Sequence, residues 1–297
     1  MGWLRGNRRL QIGLVLLVPF LVLALLPGVF APHGPNELIG VPFAKPSTTY
    51  WLGTDDLGRD TLSRLIYAAR EDLKISLSST AISAVLGVLI GLLAGYRGGL
   101  VDALVLRATD VMLAFPSILL ALFLIAIVGQ SDKVVILALA LLFLPGFVRL
   151  ARGLALSIRQ RGFVEASALS GGGALHIVRR HLLPNALGPI LVGFALTASY
   201  ALLATATLSY LGLGTPLPNP SWGNMLQEAF GFMFLDWWAG IFPGACIVLV
   251  SLGYLLVAGG VEDALGRRVG FRPLGGGSAA AAPGALGESL PTLAEDA

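Results

Sequence analysis

The stretch ISLSSTAISAVLGVLIGLLAGY, from Ile75 to Tyr96, carries no charged residue, and its reading decides the fold class. Crossing the hydrocarbon core of a bilayer takes about 20 mostly apolar residues of α-helix, because in lipid every backbone N–H and C=O must be satisfied within the segment. This run is long enough to do so. Within it Gly87, Gly91 and Gly95 recur at every fourth position, laying a small-residue groove along one helix face that lets another backbone approach closely. The pattern implies a partner helix without saying which one.

Working outward, five more runs qualify as spans: Leu10–Phe30, Val111–Gly129, Val134–Leu150, Leu187–Leu211 and Trp238–Val261. The composition agrees, with 56% hydrophobic and only 12% charged residues in 297 and a mean hydropathy of +0.81, well outside the balance of a soluble domain. The expected fold is all-α and polytopic, with six transmembrane helices. The first run follows Arg5, Arg8 and Arg9 as a signal peptide would. Its length, Pro19 and Pro27, and the poor cleavage site Ala31-Pro32-His33 argue that it stays as a span. Pro116 is expected to kink the third span, since a proline removes a helical hydrogen bond.

Lys and Arg concentrate on one side. With an internal N-terminus the inside connections hold Arg97, Arg107, Arg149, Arg152, Arg159, Arg161, Arg179 and Arg180, and the tail adds Arg267, Arg268 and Arg272. The outside segments hold Lys45, Arg59, Arg64, Arg70, Lys74 and Lys133. The positive-inside tendency therefore puts both termini in the cytoplasm. The resulting order is a cytoplasmic start over 1–9, a first span over 10–30, an outer segment over 31–74, a five-helix core over 75–268 and a tail over 269–297. The tail turns to Gly, Ala, Pro and acidic residues, too poor in large apolar groups to offset chain ordering, so it is expected to be flexible. Trp222, Trp237 and Trp238 fall on the outer side, as interfacial anchors or as core aromatics. The single cysteine, Cys246, lies in an apolar run with no partner in the chain and reads as packing.

Several chemistries are missing. None of Lys45, Lys74 and Lys133 sits in a phosphate-cradling G-x-x-x-x-G-K-[ST] loop, so nucleotide hydrolysis must come from another chain. Gly129-Gln130-Ser131 offers a G-x-S, but His33, His176 and His181 all lie outside the predicted spans, which removes an intramembrane serine protease. An ion-coupled carrier would bury ionisable groups in its spans. Here Asp110 stands at the inner edge of the third, and Asp236 and Glu262 flank the sixth.

The connection over 151–186 is the most informative segment between spans. Its first half, Ala151–Leu169, is free of proline and predicts a helix extending below the membrane, with Leu150, Leu154 and Ile158 along one face. Gly171-Gly172-Gly173 then interrupts it, since each glycine costs about 1 kcal/mol relative to Ala within a helix. Ala174–Leu183 predicts a short basic helix, and Pro184 opens the return to the membrane. Helix, sharp turn and short helix form a protrusion suited to a groove in a soluble partner.

Phe163-Val164-Glu165-Ala166-Ser167-Ala168-Leu169-Ser170-Gly171, followed by His181-Leu182-Leu183-Pro184-Asn185, resembles the "EAA" loop of bacterial ATP-binding-cassette (ABC) importer permeases. Ser167 stands where that pattern usually has a second alanine, and Ser170 also departs from its common neighbours. Leu52-Gly53-Thr54-Asp55-Asp56-Leu57-Gly58-Arg59-Asp60, Ser209-Tyr210-Leu211-Gly212-Leu213-Gly214, Pro220-Ser221-Trp222-Gly223-Asn224, Asp110 and Ala114-Phe115-Pro116 are similar to the second permease of dipeptide, oligopeptide and nickel importers. The resemblance runs from the first span to Arg268.

It implies a type I importer permease fold and a non-catalytic transport subunit. It further implies pairing with a second homologous permease, two ATPase subunits that bind the ATP and Mg, an extracytoplasmic solute-binding protein and residence in the bacterial inner membrane. No cofactor belongs to this chain, and no nucleic acid is involved. Glu165, Ala166, Ser167, Gly171, His181, Leu183 and Pro184 become the candidate ATPase-coupling residues. Trp222 and Asn224 either face the pathway or fold an outer re-entrant loop. Asp55, Asp56 and Asp60 allow a cation site, although Thr54-Asp55 before a helical run reads equally as a helix cap. A peptide is the expected solute, with nickel or another small solute as the alternative. A membrane scaffold and an ion-coupled carrier are the rivals in other classes.

Overall fold

The computed structural model describes residues 7–234 and 237–269, which are helical throughout their regular elements apart from two isolated β-bridges. Helix α1 (Arg8–Leu25) is capped by the Asn7 side chain, which accepts from the Leu10 N–H, and a single turn α2 (Pro27–Phe30) follows. Then come α3 (Thr61–Arg97), α4 (Gly99–Ala114), α5 (Ser117–Val128), α6 (Asp132–Ile158), α7 (Gly162–Leu169), α8 (Ala174–Ile177), a π-helical turn at Val178–Leu182, α9 (Leu183–Tyr210), α10 (Trp222–Gly231) and α11 (Trp237–Val269). Among the described residues five helical stretches are long and apolar enough to span a membrane, or six if α4 and α5 count as one bent span. The expectation of a flexible tail falls on residues outside those described.

The glycine groove finds its partner in α6, the helix against which α3 packs most extensively. A Cβ on Gly87 would come within 2.6 Å of the Phe147 Cβ, and one on Gly95 within 2.8 Å of the Ala155 Cβ. At Gly91 the obstacle is the Val148 carbonyl oxygen itself. Small residues thus set the helix separation, as van der Waals packing requires where lipid offers no hydrophobic drive. A second close crossing joins α1 to α11, where a Cβ on Gly13 would lie 2.8 Å from the Val257 nitrogen. The Asn7 amide donates to the Gly260 carbonyl beside that crossing.

Three segments differ from the sequence expectation, and a fourth sharpens it. The span expected over Ile75–Tyr96 is part of a longer helix: α3 begins at Thr61, capped by Asp60, whose carboxylate accepts from the Ser63 N–H at 2.9 Å. The hydropathy pattern hides this start because Arg64, Arg70, Glu71, Asp72 and Lys74 sit in the helix's first half. The kink expected at Pro116 is present as an 84° bend between α4 and α5, sharp enough to break the span expected over Val111–Gly129 into two helices. Phe115 adopts extended backbone (φ −87, ψ 139) before Pro116, the conformation that a following proline imposes. The helix expected over Ala151–Leu169 stops at Ile158 and restarts at Gly162. Finally, Pro184 does not end a short helix: α8, the π turn and α9 run on as one stretch from Ala174 to Tyr210. The π turn explains it, since the Leu183 N–H reaches back to the Val178 carbonyl. The widened turn sits where Pro184 would otherwise crowd the carbonyl four residues earlier.

Candidate coupling site

Helix α7 is rooted in the bundle by its apolar side and presents its polar side outward. Val164 is buried with Ile158 at the foot of α6, Ile177, Val178 and Leu182 of the return segment, and Leu92 of α3. Glu165, Ala166 and Leu169 are exposed, Leu169 at 83%.

The turn after α7 is a Schellman motif. The Gly171 N–H donates to the Ala168 carbonyl and the Gly172 N–H to the Ser167 carbonyl, both at 3.0 Å. Gly171 takes φ +84, the left-handed conformation this motif needs after a helix and which only glycine adopts freely. A Cβ on Gly171 would meet nothing within 4 Å, so its backbone angle, not crowding, calls for glycine. The Ser170 hydroxyl closes the same turn by donating to the Ala166 carbonyl at 2.9 Å.

The structure brings Ser167 and His181 together. The Ser167 Oγ lies 3.1 Å from the His181 Nε2, tying α7 to the π turn, and the Phe163 ring meets the same imidazole tilted and the His176 ring edge-on, with centroids 5.9 and 6.1 Å away. Replacing the usual alanine by serine thus adds a hydrogen bond that the sequence does not announce. Leu183 and Pro184 lie on the far side of the π turn, and the Asn185 amide donates to the His181 carbonyl at 2.7 Å. The base of α6 is fastened as well. Arg159 donates to the Gly95 carbonyl at 3.0 Å and Arg152 to both Asp102 oxygens at 2.5 and 2.6 Å. Helix α7 is thus in contact with the return segment, and the foot of α6 beside it is tied to α3 and α4.

Trp222 and Asn224 lie far along the chain from this loop and do not join it. The Trp222 ring is fully buried, its Nε1 donating to the Leu65 carbonyl at 3.2 Å and its edge meeting Phe20. The Asn224 amide donates to the Thr215 carbonyl at 3.0 Å, and its N–H is capped by Ser221. Both fix the start of α10 within this chain.

Of the three carboxylates considered for a cation, Asp60 caps α3, whereas Asp55 and Asp56 approach Glu228 closely enough to form a candidate metal group. Arginines already fill that centre. Arg59 donates to Asp55 at 2.6 Å, and Arg64 donates to Glu228 at 2.9 and 3.1 Å while lying 3.3 Å from Asp55. Burial pushes the Glu228 carboxyl above its ordinary range against the pull of Arg64 and Arg59. No sequence pattern marks the Arg64–Glu228 pair or Asp72, a fully buried carboxylate that accepts the Trp222 backbone N–H at 2.7 Å. Their partners lie 164 and 150 residues away, beyond any local signal.

The chain is a multi-span helical bundle that carries a rooted, outward-facing helix–turn–helix. Residues 87–270 match the family described as binding-protein-dependent transport system inner membrane component. The dipeptide transport system permease protein of Alkalihalophilus pseudofirmus is 38% identical over 88% of this chain and 86% of its own length. The di/tripeptide transport system permease of Pseudomonas aeruginosa is 39% identical over 85% and 86%, and the glutathione transport system permease of Pectobacterium atrosepticum 39% over 74% and 73%. An inward-facing structure of the MetNI methionine ABC transporter contains a similar chain, with a TM-score of 0.54 and 22% identity over 68% of this chain and 95% of that one. The chain belongs to the family of binding-protein-dependent transport system inner membrane components. It is a permease component of an ABC importer with the type I permease fold, and a transport subunit rather than an ATPase.

Proposed function

We propose that this chain is one of two homologous permeases in a bacterial inner-membrane importer for di- or oligopeptides, with both termini cytoplasmic. An extracytoplasmic binding protein delivers the peptide to the outer face, and two cytoplasmic ATPases bind ATP and Mg and close on the nucleotide. Helix α7 and its glycine turn seat in an ATPase groove, so that ATPase closure pulls on α3, α6 and α9 and alternates access to the pathway. The peptide assignment draws on the dipeptide, di/tripeptide and glutathione systems of the relatives.

One observation carries the coupling role: α7 pairs a buried root at Val164 with exposed Glu165 and Leu169 on a turn locked by Gly171. In proteoliposomes containing the whole transporter, the double variant Glu165→Ala/Gly171→Val is expected to insert normally, hydrolyse ATP and take up little peptide. Uptake at the unsubstituted rate would remove the assignment.

A further inference from the structure

Helix α10 is held very differently along its length. Its first residues, Trp222, Gly223, Asn224 and Met225, are buried, whereas Gln227 and Phe230 through Phe234 are exposed. The buried end is pinned from several sides. Asp72 of α3 accepts the Trp222 N–H, the Leu65 carbonyl accepts from the Trp222 ring, and the Ala206 carbonyl of α9 touches Gly223 so closely that a Cβ there would collide with it.

The outer half packs against α11 and is fastened by one charged contact, Glu228 on Arg64 at 2.9 Å with Arg59 at 3.6 Å, and by the Phe232 ring against Phe43. Around that contact two guanidinium groups face three carboxylates, those of Asp55, Asp56 and Glu228. Removing Glu228 leaves Arg59 and Arg64 with Asp55 and Asp56, two charges against two. When Glu228 leaves, Arg64 gives up its two hydrogen bonds to that carboxylate but keeps its ion pair with Asp55 at 3.3 Å, and Arg59 keeps Asp55 at 2.6 Å, so both guanidinium charges stay compensated. Beside the same half-helix lies an open apolar recess lined by Leu226, Phe230, Met233, Trp237 and Ile241, so there is room for it to move.

We propose that α10 is a hinged flap on the outer side of the bundle, pinned at its N-terminus by Asp72 and latched at its far half by Glu228 on Arg59 and Arg64. Unlatching exchanges Glu228 between the arginine pair and solvent while the Asp55 and Asp56 contacts hold the arginines in place. Swinging about Trp222 changes the distance between α10 and the start of α11. The proposal rests on the transport reading for its uptake measurement alone.

The geometry supplies a reversible lock. A Cβ built on Gly240 of α11 lies 3.4 Å from the Ala229 Cβ of α10, at the short edge of disulfide range. In a Cys246→Ala background, which removes the native thiol, Ala229→Cys/Gly240→Cys is expected to crosslink on oxidation. Peptide uptake by the assembled transporter in proteoliposomes should then fall at least tenfold and return with dithiothreitol. Adding Glu228→Gln should slow crosslink formation severalfold in the purified complex, because the latch no longer holds the two positions together. Equal uptake in oxidised and reduced protein overturns the flap, as does a crosslinking rate indifferent to Glu228→Gln. If the reduced transporter takes up no peptide, the peptide reading fails while the crosslinking rate still decides the flap.

Discussion

Replacing Gly171 by asparagine and by valine separates backbone geometry from every other feature of the coupling turn. The position has φ +84, and a methyl placed on its Cα would have nothing within 4 Å. A Cβ meets no crowding within this chain, so the left-handed angle is what chiefly separates the two variants here. An L-residue there costs about 1–2 kcal/mol, with β-branched valine at the upper end and asparagine, which visits this region readily, at the lower. One to two kcal/mol is about a 5- to 30-fold change in the population of a formed turn. The turn is worth two hydrogen bonds, from Gly171 to Ala168 and from Gly172 to Ser167, so its loss frees the end of α7. The assay is peptide taken up per ATP hydrolysed by the whole transporter in proteoliposomes at matched protein content. Gly171→Asn should keep most of the wild-type ratio and Gly171→Val lose most of it. Equal ratios for the two variants would refute the reasoning, because they would show that the left-handed turn has no part in coupling.

At the α3–α6 crossing, Gly91→Ala pushes a methyl onto the Val148 carbonyl, a backbone atom unable to rotate away, and should lower stability by about 1–3 kcal/mol. Gly146→Ala, with nothing within 4 Å, is the control: it should be neutral or slightly stabilising, both read as thermal unfolding in detergent. Arg64→Met strips the main partner from Glu228 and should destabilise by about 3 kcal/mol, with Arg64→Met/Glu228→Gln recovering part of the loss in the same measurement. Ser167→Ala removes only the contact with His181, about 1 kcal/mol; uptake should change less than twofold while α7 becomes more accessible to limited proteolysis.

Much of the fold was legible because lipid imposes a coarse rule. A run such as Ile75–Tyr96 must be helix, whatever surrounds it, and the Gly87, Gly91 and Gly95 spacing announces a close crossing without needing to know the partner. The turn at Gly171 was legible for a similar local reason, three glycines being hard to continue as helix. What escaped was set by contacts distant in sequence or by compensation within the backbone. The apolar span read from Ile75 extends back as helix to Thr61, where Arg64 and Asp72 find partners in α10. Pro184 looked like a helix boundary, yet a π turn absorbs it. The Ser167–His181 contact spans a turn whose geometry no residue pattern specifies.

By itself, the sequence determined that the chain crosses the membrane several times as helix, that it lacks a nucleotide-binding loop, and that a glycine turn interrupts its longest basic connection. These follow from the cost of unsatisfied backbone groups in lipid and from the conformational range of individual residues, both local properties. Only the tertiary structure decided that α6 fills the glycine groove, that Asp60 rather than Thr54 or Asp55 starts α3, and that Arg59 and Arg64 occupy the centre of an acidic cluster that otherwise suggested a cation. Each of those depends on which distant groups meet, and a buried charge or a bare helix face is defined by its neighbour in space rather than by its neighbour in the chain.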